Sequence, residues 1–250
     1  MIKSVVNPRY MEYAPFVERL SERFDKEGRM LHDGRNRVKL FTDKDDTGYV
    51  VKRYRRPHLL QRFIYRWFRP SKAERAYRFA FRLAALGIAT PEAVAYSEER
   101  GALLFGYSYF MSARCTDPSL YAPLVEAPEF DRTLAVRLAA FLVEMHEKGF
   151  LHGDLNLTNI LYRTLPGGQV RFTVIDTNRS HFKKAPSQTD CLQNLVRLTH
   201  RHELMEFVVR EYARLRGWEA GAVWHEVQGR LRRFERKEAR KKKLKRRLGK

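Results

Sequence analysis

Cysteine is scarce in this sequence, which contains only Cys115 and Cys191. The two are not in a Cys-x-x-Cys arrangement, so neither a disulfide framework nor a structural zinc site is predicted. Long apolar runs are also missing, because no stretch approaches the roughly 18–20 residues that cross a bilayer. The first residues lack the apolar stretch and the small-residue cleavage site of a secretory signal. We therefore expect a cytoplasmic protein.

Acidic residues are few relative to basic ones. The chain has 49 Lys and Arg against 29 Asp and Glu, a net charge of +20. Residues 230–250 hold thirteen of these basic residues and only two glutamates, so they form a distinct polycationic tail. Such a chain is attracted to anionic lipid headgroups, nucleic acid or another polyanion. A solvated helix end that serves solubility is the alternative interpretation of the tail.

No internal repeat and no Pro/Gly/Ser-rich linker divides the chain, and its 44% hydrophobic content is enough for a core. The first part is rich in strand patterns bounded by turn residues. A helix is predicted over residues 71–86, where Gly87 ends it. The other predicted elements here are a helix over 10–24, strands at 30–32, 38–41 and 49–54 with a polar hairpin loop at 43–48, a basic aromatic stretch at 59–68, and two strands between 91 and 111.

The pattern changes to helical spacing after Pro128, where apolar residues predict a long helix that Gly149 ends. Strands first and helices later argue for two unequal lobes of an α+β fold. We place the N-terminal lobe at 1–112, the C-terminal catalytic lobe at 113–229 and a basic helical tail at 230–250. The elements predicted after the long helix are a polar loop, a strand at 159–162, a Pro-Gly-Gly turn, a strand at 170–175, and helices over 189–247 with a break near Gly217.

The residues with the clearest chemistry lie in the loop His152-Gly153-Asp154, which Asn159 follows. An apolar helix ends just before this loop, and an apolar strand comes after Asn159. A hairpin then leads to a buried strand that ends in Asp176. Asp154, Asn159 and Asp176 thus carry oxygen-bearing side chains and lie next to the ends of helices or strands. We expect the three to belong to one site.

Phosphoryl transfer needs these residue types. A carboxylate orients the attacking hydroxyl or accepts its proton, and an amide oxygen with a second carboxylate holds Mg²⁺ on the nucleotide phosphates. Protein kinases place them as H-R-D-x-x-x-x-N followed by D-F-G. Here the order is H-G-D-x-x-x-x-N, with Asp176 seventeen residues after Asn159. The pattern predicts an ATP-dependent kinase in which Asp154 and Asn159 are catalytic and Asn159 and Asp176 bind Mg²⁺.

Candidate phosphate-binding residues lie upstream of this loop. The turn Gly34-Arg35-Asn36 stands where a phosphate-covering loop is expected, although it holds a single glycine. Its main-chain N–H groups can donate hydrogen bonds to phosphate, and Arg35 or Arg37 can add positive charge. Val50-Val51-Lys52 is similar to the V-A-I-K strand of kinases, so Lys52 is the candidate partner of the α- and β-phosphates.

Two further parts of a nucleotide site are inferred from position. Glu74 is the only acidic residue between Pro57 and Glu92, which makes it the candidate partner of Lys52. Its place in the first turn of a helix is equally explained by the helix dipole. Adenine is expected to bind main-chain groups from Met111 to Ala113, at the end of the last strand of the small lobe.

The motif H-G-D-L-N-x-x-N-I-L at 152–161, followed by a strand ending in Ile-Asp, resembles the lipopolysaccharide core kinase family, the Kdo and heptose kinases of the protein-kinase-like superfamily. The turn at 33–39 and the helix at 71–86 with its exit Gly87–Pro91 are also similar to this family. The resemblance covers roughly residues 28 to 200. It implies a bilobal protein-kinase-like fold with a small β-rich N-terminal lobe and a larger α-helical C-terminal lobe.

The resemblance also implies residue roles. Asp154 would be the catalytic base, Asn159 and Asp176 the Mg²⁺ ligands, and Lys52 the phosphate-binding lysine. The sequence departs from the family pattern in two places. Thr-Asn-Arg at 177–179 follows Asp176, where D-F-G or D-F-D is usual, and the expected position of the helix glutamate falls on an alanine, so the pairing of Lys52 with Glu74 stays open.

Two residues of the loop bear on regulation and acceptor. Gly153 replaces the arginine of H-R-D, so we expect no control by a phosphorylated activation loop. Asn156 stands where kinases acting on protein Ser and Thr often carry lysine, which fits another class of acceptor.

The leading functional prediction is transfer of the ATP γ-phosphoryl group to a sugar hydroxyl of the lipopolysaccharide core. Its substrate would be an anionic glycolipid, and the basic tail would hold the protein at the cytoplasmic face of the inner membrane. One alternative is a small atypical protein kinase, of the kind associated with tRNA modification or of the Rio group. Another is a nucleic-acid-binding pseudokinase, which the single-glycine turn favours and the intact Asp154, Asn159 and Asp176 oppose.

Overall fold

The computed structural model describes residues 1–42 and 48–247, so most of the hairpin loop predicted at 43–48 lies outside the described residues. The chain divides into two compact units. The first contains Met1–Thr116 and Thr173–Arg179, and the second contains Asp117–Phe172 and Ser180–Lys250. Asp176 therefore belongs to the first unit, although the strand that leads to it starts in the second. The lobe and tail boundaries placed from the sequence stay a prediction.

The first unit is built on one six-stranded antiparallel sheet, with strand order β1-β5-β6-β4-β3-β2. Its elements in chain order are β1 (Ile2–Val6), α1 (Ala14–Glu18), α2 (Leu20–Lys26), β2 (Arg29–Asp33), β3 (Arg37–Thr42), β4 (Gly48–Tyr54), α3 (Leu59–Trp67), α4 (Lys72–Ala85), β5 (Ala93–Arg100) and β6 (Phe105–Ala113).

The predicted helix over 10–24 is wrong in detail. A 3-10 segment, Pro8–Tyr13, precedes α1, and Arg19 leaves helical geometry between α1 and α2. The predicted helix at 71–86 is confirmed as α4, where the Ser71 hydroxyl accepts a hydrogen bond from the Glu74 N–H at 3.0 Å. Such a cap satisfies one of the N–H groups that a helix start leaves without a partner. Strand β1 was not predicted.

Each face of the sheet carries its own core. Val51 of β4 packs in a cluster with Val17, Leu20 and Phe24 from α1 and α2. Tyr54 of the same strand packs in a second cluster with residues of α4. Since side chains alternate along a strand, Lys52 points to the same face as Tyr54. The register of β4 between β3 and β6 thus fixes a lysine on the α4 side of the sheet.

The second unit is mainly helical. A π-helical turn, Ala122–Glu126, precedes its first long helix. Among the described residues, no helix has the length and apolar character needed to span a membrane. The elements in chain order are α5 (Arg132–Glu147), β7 (Phe150–Leu151), β8 (Ile160–Thr164), β9 (Val170–Val174), β10 (His181–Phe182), α6 (Gln188–Leu195), α7 (His202–Leu215) and α8 (Ala220–Arg247).

The core of this unit lies where α5 packs on α7 and α7 packs on α8. Buried Leu138 and Leu142 of α5 and Val208 and Val209 of α7 supply apolar surface. Two short antiparallel pairs, β7 with β10 and β8 with β9, flank the loop that carries Asp154. The basic segment predicted as a separate tail continues α8 without a break, and Leu231 within it is buried.

Gly149 joins α5 to β7, just before the His152 loop. Its φ of 79° lies in the left-handed region that side chains disfavour. Its carbonyl accepts a hydrogen bond from the Lys183 N–H at 2.9 Å, and a Cβ at this position would collide with the Lys183 main-chain oxygen. The loop therefore leaves the helix along a path that only glycine permits.

We expect Gly149→Ala to lower the free energy of unfolding by about 2–4 kcal/mol, because it adds backbone strain and a clash. Gly229→Ala in α8 is the matched control, since its Cβ would meet nothing within 4 Å. That change should be neutral or stabilise by up to about 1 kcal/mol. Urea unfolding measures both, and equal effects of the two substitutions would contradict this account.

Candidate nucleotide and phosphoryl-transfer residues

Lys52 and Asp176 form an ion pair in the first unit. The Lys52 Nζ lies 2.7 Å from the Asp176 Oδ1, and the two side chains are 17% and 30% exposed. The Lys52 Nζ also lies 5.4 Å from the centroid of the Tyr54 ring. Burial, and then the Asp176 carboxylate, raise the pKa of Tyr54 well above its usual value, so its ring stays neutral. The predicted phosphate-binding lysine and a predicted metal ligand are thus held together.

The backbone at Asp176 is unusual. Its φ of 57° is the only positive value at a non-glycine position among residues 1–42 and 48–247. Asp tolerates this region better than most residues. The Val174 N–H donates to the Ala89 oxygen at 2.9 Å and the Thr90 hydroxyl donates to the Val174 oxygen at 2.8 Å, so the strand is fixed just before the turn.

The Thr-Asn-Arg sequence after Asp176 contacts both the Asp176 carboxylate and helix α4. The Asn178 Nδ2 donates to the Asp176 Oδ1 at 2.5 Å. The 3-10 turn Thr177–Arg179 packs against α4. Asn178 therefore fixes the carboxylate that Lys52 also contacts, at the position where the D-F-G sequence of protein kinases has its glycine.

Lys72, at the start of α4, lies among other cations. Burial lowers the pKa of Lys72, and Arg35, Arg179, Arg75 and Lys52 lower it further. In the part of the chain that the structure describes, no carboxylate lies within ion-pair distance of Lys72 or Arg75. The Arg75 Nε is buried without a hydrogen-bond partner. Positive charge therefore exceeds negative charge around Asp176, which favours a bound anion.

The two candidate arginines of the phosphate turn differ. Arg35 acts electrostatically on Lys72 and so belongs to the cation cluster. Arg37 instead donates to Asp33 at 2.9 Å. The Asn36 side-chain oxygen accepts from the Arg55 N–H at 3.1 Å, which ties the turn to the chain after β4. The structure thus selects Arg35 as the charged residue of Gly34-Arg35-Asn36.

Glu74 does not pair with Lys52. Its carboxylate forms ion pairs with Arg78 and with the Lys3 Nζ, the latter at 3.9 Å, and it is 4% exposed. The contact with Lys3 shows that the Glu74 side chain is directed toward β1. The pairing of Glu74 with Lys52, which the sequence left open, is not formed, and Asp176 contacts Lys52 instead.

Met111 and Ala113 lie on β6 as predicted. Met111 is buried in the apolar cluster on the face of the sheet that packs against α1 and α2. The Ala113 N–H donates to the Glu92 oxygen at 2.9 Å, so this donor is already used. The prediction that adenine binds this segment is untested, but the Ala113 N–H is not the group that would make the contact.

In the second unit, two asparagines fix the loop that carries Asp154. The Asn156 Nδ2 and the Asn159 Nδ2 both donate to the Asp154 main-chain oxygen, at 3.0 Å and 2.9 Å. The Asn156 oxygen also accepts from the Thr158 N–H at 3.0 Å. Asn156 therefore braces the loop. Because Asn159 donates through nitrogen, its amide oxygen is the atom that suits a cation.

Arg197 contacts the Asp154 carboxylate and was not predicted. Its Nη1 lies 3.1 Å from the Asp154 Oδ1, and its guanidinium lies 5.1 Å from the centroid of the Phe234 ring. Both members of the ion pair are partly exposed. Arg197 is 43 residues from Asp154, so no local spacing in the sequence indicates this pair.

A buried polar chain supports the same loop. The Asn194 Nδ2 donates to the His152 oxygen at 2.7 Å, and the Asn194 oxygen lies 3.0 Å from the His146 Nε2. The other ring nitrogen of His146 lies 2.8 Å from the Tyr212 hydroxyl. Helices α5, α6 and α7 each contribute one residue, so the loop position depends on their packing.

A cavity of about 370 Å³ opens beside this loop within the second unit. Its lining combines aromatic rings with polar groups, and the Tyr121 and His200 rings lie 6.1 Å apart. The residues that line it include Tyr121, Asn156, Thr158, Arg197, His200 and Phe234.

The oxygen atoms available as metal ligands suit magnesium better than a transition metal. Among the described residues, no group of three or more His, Cys, Asp or Glu side chains could hold a metal ion. Mg²⁺ needs few protein ligands, because waters and phosphate oxygens complete its shell. Each unit offers one hard oxygen ligand of this kind, the Asp176 carboxylate in the first unit and the Asn159 amide oxygen in the second.

The family model for the lipopolysaccharide kinase (Kdo/WaaP) family matches residues 21–217. This range includes Lys52, Asp154, Asn159 and Asp176. The chain belongs to the lipopolysaccharide kinase (Kdo/WaaP) family. The resemblance inferred from the H-G-D loop is confirmed, and membership of this kinase family supports phosphotransferase activity.

A solved structure supports the fold of this family member. The structure of WaaP in complex with acyl carrier protein matches with 20% identity and a TM-score of 0.63, over 95% of this chain and 98% of that one. The Rio2 kinase from Chaetomium thermophilum, in an ADP/Mg²⁺-phosphoaspartate complex, matches with 15% identity and a TM-score of 0.48, over 85% of this chain and 66% of that one. No curated protein matches the chain. The predicted α+β protein-kinase-like fold is confirmed.

Acid is expected to destabilise this kinase through His146. Burial lowers the pKa of His146 from 6.5 to about 4. Between these values the unfolded chain takes up a proton that the folded chain does not. The contribution of neutral His146 to the free energy of unfolding is therefore fully present above pH 6.5. It is lost as the pH falls toward 4, and the loss amounts to up to about 3 kcal/mol.

Chemical unfolding of wild type and His146→Gln across this pH window measures the effect. The variant should show the smaller loss of stability on acidification, because it carries no titrating group at this position. Parallel pH profiles for the two proteins would contradict the assignment.

Proposed function

We propose that the protein transfers the γ-phosphoryl group of ATP to a hydroxyl of a Kdo or heptose sugar in the lipopolysaccharide core, at the cytoplasmic face of the inner membrane. One observation carries the proposal. Asp176 is held by Lys52 and Asn178 beside a cluster of cations in which, among the described residues, no carboxylate pairs with Lys72 or Arg75. This is the charge pattern that a nucleotide triphosphate with its metal would balance.

The first unit would bind the donor. Lys52, Lys72 and Arg35 are the cations suited to the phosphates, and Asp176 would be a ligand of Mg²⁺, the role that the family motif assigns to it and to Asn159. Bound Mg²⁺ supplies neutralisation of phosphate charge during transfer. Lys72 takes part here because α4 presents a cation, and not a glutamate, to the Lys52 side of the sheet.

Asp154 would act on the acceptor. Its carboxylate accepts the proton of the sugar hydroxyl as that oxygen forms its bond to phosphorus. Arg197 holds one carboxylate oxygen, and the two asparagines hold the main chain of the same residue. The carboxylate is therefore oriented before the acceptor arrives, which reduces the cost of ordering it during the reaction.

The cavity beside the loop is the proposed acceptor site. It is lined by Asn156, which braces Asp154, and by Arg197, which contacts it. Aromatic rings such as Tyr121 and Phe234 can cover the apolar face of a sugar, while polar groups bind its hydroxyls. Arg197 and His200 would favour a sugar that carries an anionic group.

Membrane contact and partners form a second part of the proposal. Helix α8 exposes Arg232, Arg233, Arg236 and Lys237, which are suited to anionic headgroups. Because WaaP has been solved with acyl carrier protein, we also propose such a carrier as a protein partner of this chain. Nucleic acid is the weaker alternative for the same charge.

Asp154→Asn should lower the rate of phosphoryl transfer roughly 10²–10⁴-fold, because the amide cannot accept the hydroxyl proton. Asp25→Asn is the matched control, since Asp25 also pairs with an arginine, at 2.7 Å from Arg53. Transfer of ³²P from ATP is measured with lipid A, Kdo-lipid A, heptosylated core and protein as acceptors. Transfer only to protein would favour the atypical protein kinase, and no transfer to any acceptor the pseudokinase.

Lys72→Met should raise the KM for ATP roughly tenfold, because one phosphate contact is lost. Lys26→Met removes an exposed lysine of α2 and should leave the KM unchanged. Steady-state kinetics with varied ATP separates the two. An unchanged KM in Lys72→Met would remove Lys72 from the donor site.

A further inference from the structure

Helix α3 exposes a row of large apolar side chains. Residues 59, 63 and 67 follow one another at a spacing of four, which places them on one face of the helix. No residue of α3 is buried. The exposed fractions are 68% for Leu59, 74% for Leu60, 45% for Phe63, 52% for Trp67 and 76% for Phe68, just after the helix.

The opposite face fastens α3 to the sheet. The Arg62 Nε donates to the Phe105 oxygen at 2.7 Å, and the Arg66 Nε donates to the Gly101 oxygen at 3.0 Å. The Tyr65 ring lies 5.9 Å from the Phe105 ring. Because these contacts fix the rotation of the helix, its apolar face is directed away from the sheet and toward solvent.

The segment that carries this face has basic residues and no acidic ones. Residues 55–70 contain five arginines and neither aspartate nor glutamate. Arg55, Arg56 and Arg69 are exposed at the two ends of the helix. A neighbouring surface that is both apolar in its interior and negatively charged at its boundary would complement this pattern.

A bilayer with anionic headgroups has both properties. Leu, Phe and Trp insert at the boundary of headgroups and acyl chains, and flanking arginines reach the phosphates. A contiguous exposed apolar face is otherwise uncommon on a soluble monomer and marks an interaction site. Nine residues are too few to span a membrane, so the helix would lie in the plane of the interface.

We propose that α3 is an interfacial helix that docks the protein on anionic phospholipid membranes through Leu59, Leu60, Phe63, Trp67 and Phe68. The basic part of α8 supplies longer-range attraction, whereas α3 supplies the apolar insertion. This docking needs neither ATP nor an acceptor sugar, so it stands or falls independently of the proposed reaction.

Vesicle co-sedimentation tests the apolar contribution. Phosphatidylcholine vesicles with and without phosphatidylglycerol are compared for wild type, Leu60→Gln/Phe63→Gln and Leu244→Gln. Leu244 is the matched control, because it is 58% exposed on the basic helix α8. The double variant should bind anionic vesicles at least about tenfold more weakly, and Leu244→Gln within about twofold of wild type. Circular dichroism checks that each variant is folded.

Tryptophan fluorescence tests which helix inserts. Trp67 is exposed, whereas Trp224 is 9% exposed and Trp218 is packed against Tyr212 and Arg216. Brominated phosphatidylglycerol vesicles should quench the wild-type emission, and Trp67→Phe should remove most of that quenching while binding is retained.

Three results would overturn the proposal. Unchanged vesicle binding by the folded double variant would assign binding to the tail alone. Quenching that persists in Trp67→Phe would place another tryptophan in the lipid. A wild-type dimer, or a complex with an acidic protein, that the double variant loses while vesicle binding is retained would assign the α3 face to protein contacts, and analytical ultracentrifugation detects it.

Discussion

The ion pair between Lys52 and Asp176 is the interaction on which the proposed nucleotide site of this kinase depends. The first unit concentrates Arg35, Lys72 and Arg75 near one carboxylate, and such a cluster is costly without an opposing charge. Asp176 supplies that charge from a segment distant in sequence. Its position is set by the left-handed turn, by Asn178 and by the strand bonds at Val174.

This arrangement explains why α4 carries no glutamate toward Lys52. In the kinase pattern a helix glutamate neutralises the strand lysine, but here the carboxylate of Asp176 does so directly. Glu74 is free to fasten α4 to β1 through Lys3. A nucleotide phosphate that binds Lys52 therefore competes with Asp176 for the same ammonium group, unless a cation on Asp176 takes over the balance of charge.

In the second unit, hydrogen bonds and an ion pair hold Asp154 in position. Asn156 and Asn159 converge on its main-chain oxygen, and Arg197 contacts its carboxylate. Behind them the chain of Asn194, His146 and Tyr212 ties the loop to three helices. Since each of these polar groups is satisfied by another, displacing one would leave a buried partner unpaired.

Local features of the fold and site were predictable from the sequence. The H-G-D loop, Asn159, Asp176 and Lys52 follow from spacing, because each lies at the end or on the face of a regular element. Arg197 and Lys72 did not follow, since their neighbours are set by tertiary packing. Asn178 did not follow because its hydrogen bond to Asp176 accompanies the left-handed turn at that residue. The pairing of Glu74 stayed open because an acidic residue at the start of a helix has two explanations, and its partners, Lys3 and Arg78, are seen only in the structure.

Calorimetric titration of ATP, with and without Mg²⁺, into wild type and Asp176→Asn tests the central claim most directly. The account predicts that Mg²⁺ tightens ATP binding to the wild type. In the variant the metal effect should disappear, while metal-free ATP binds at least as tightly because Lys52 is released. A magnesium effect that survives in Asp176→Asn, or metal-free ATP binding that weakens in the variant, would contradict it.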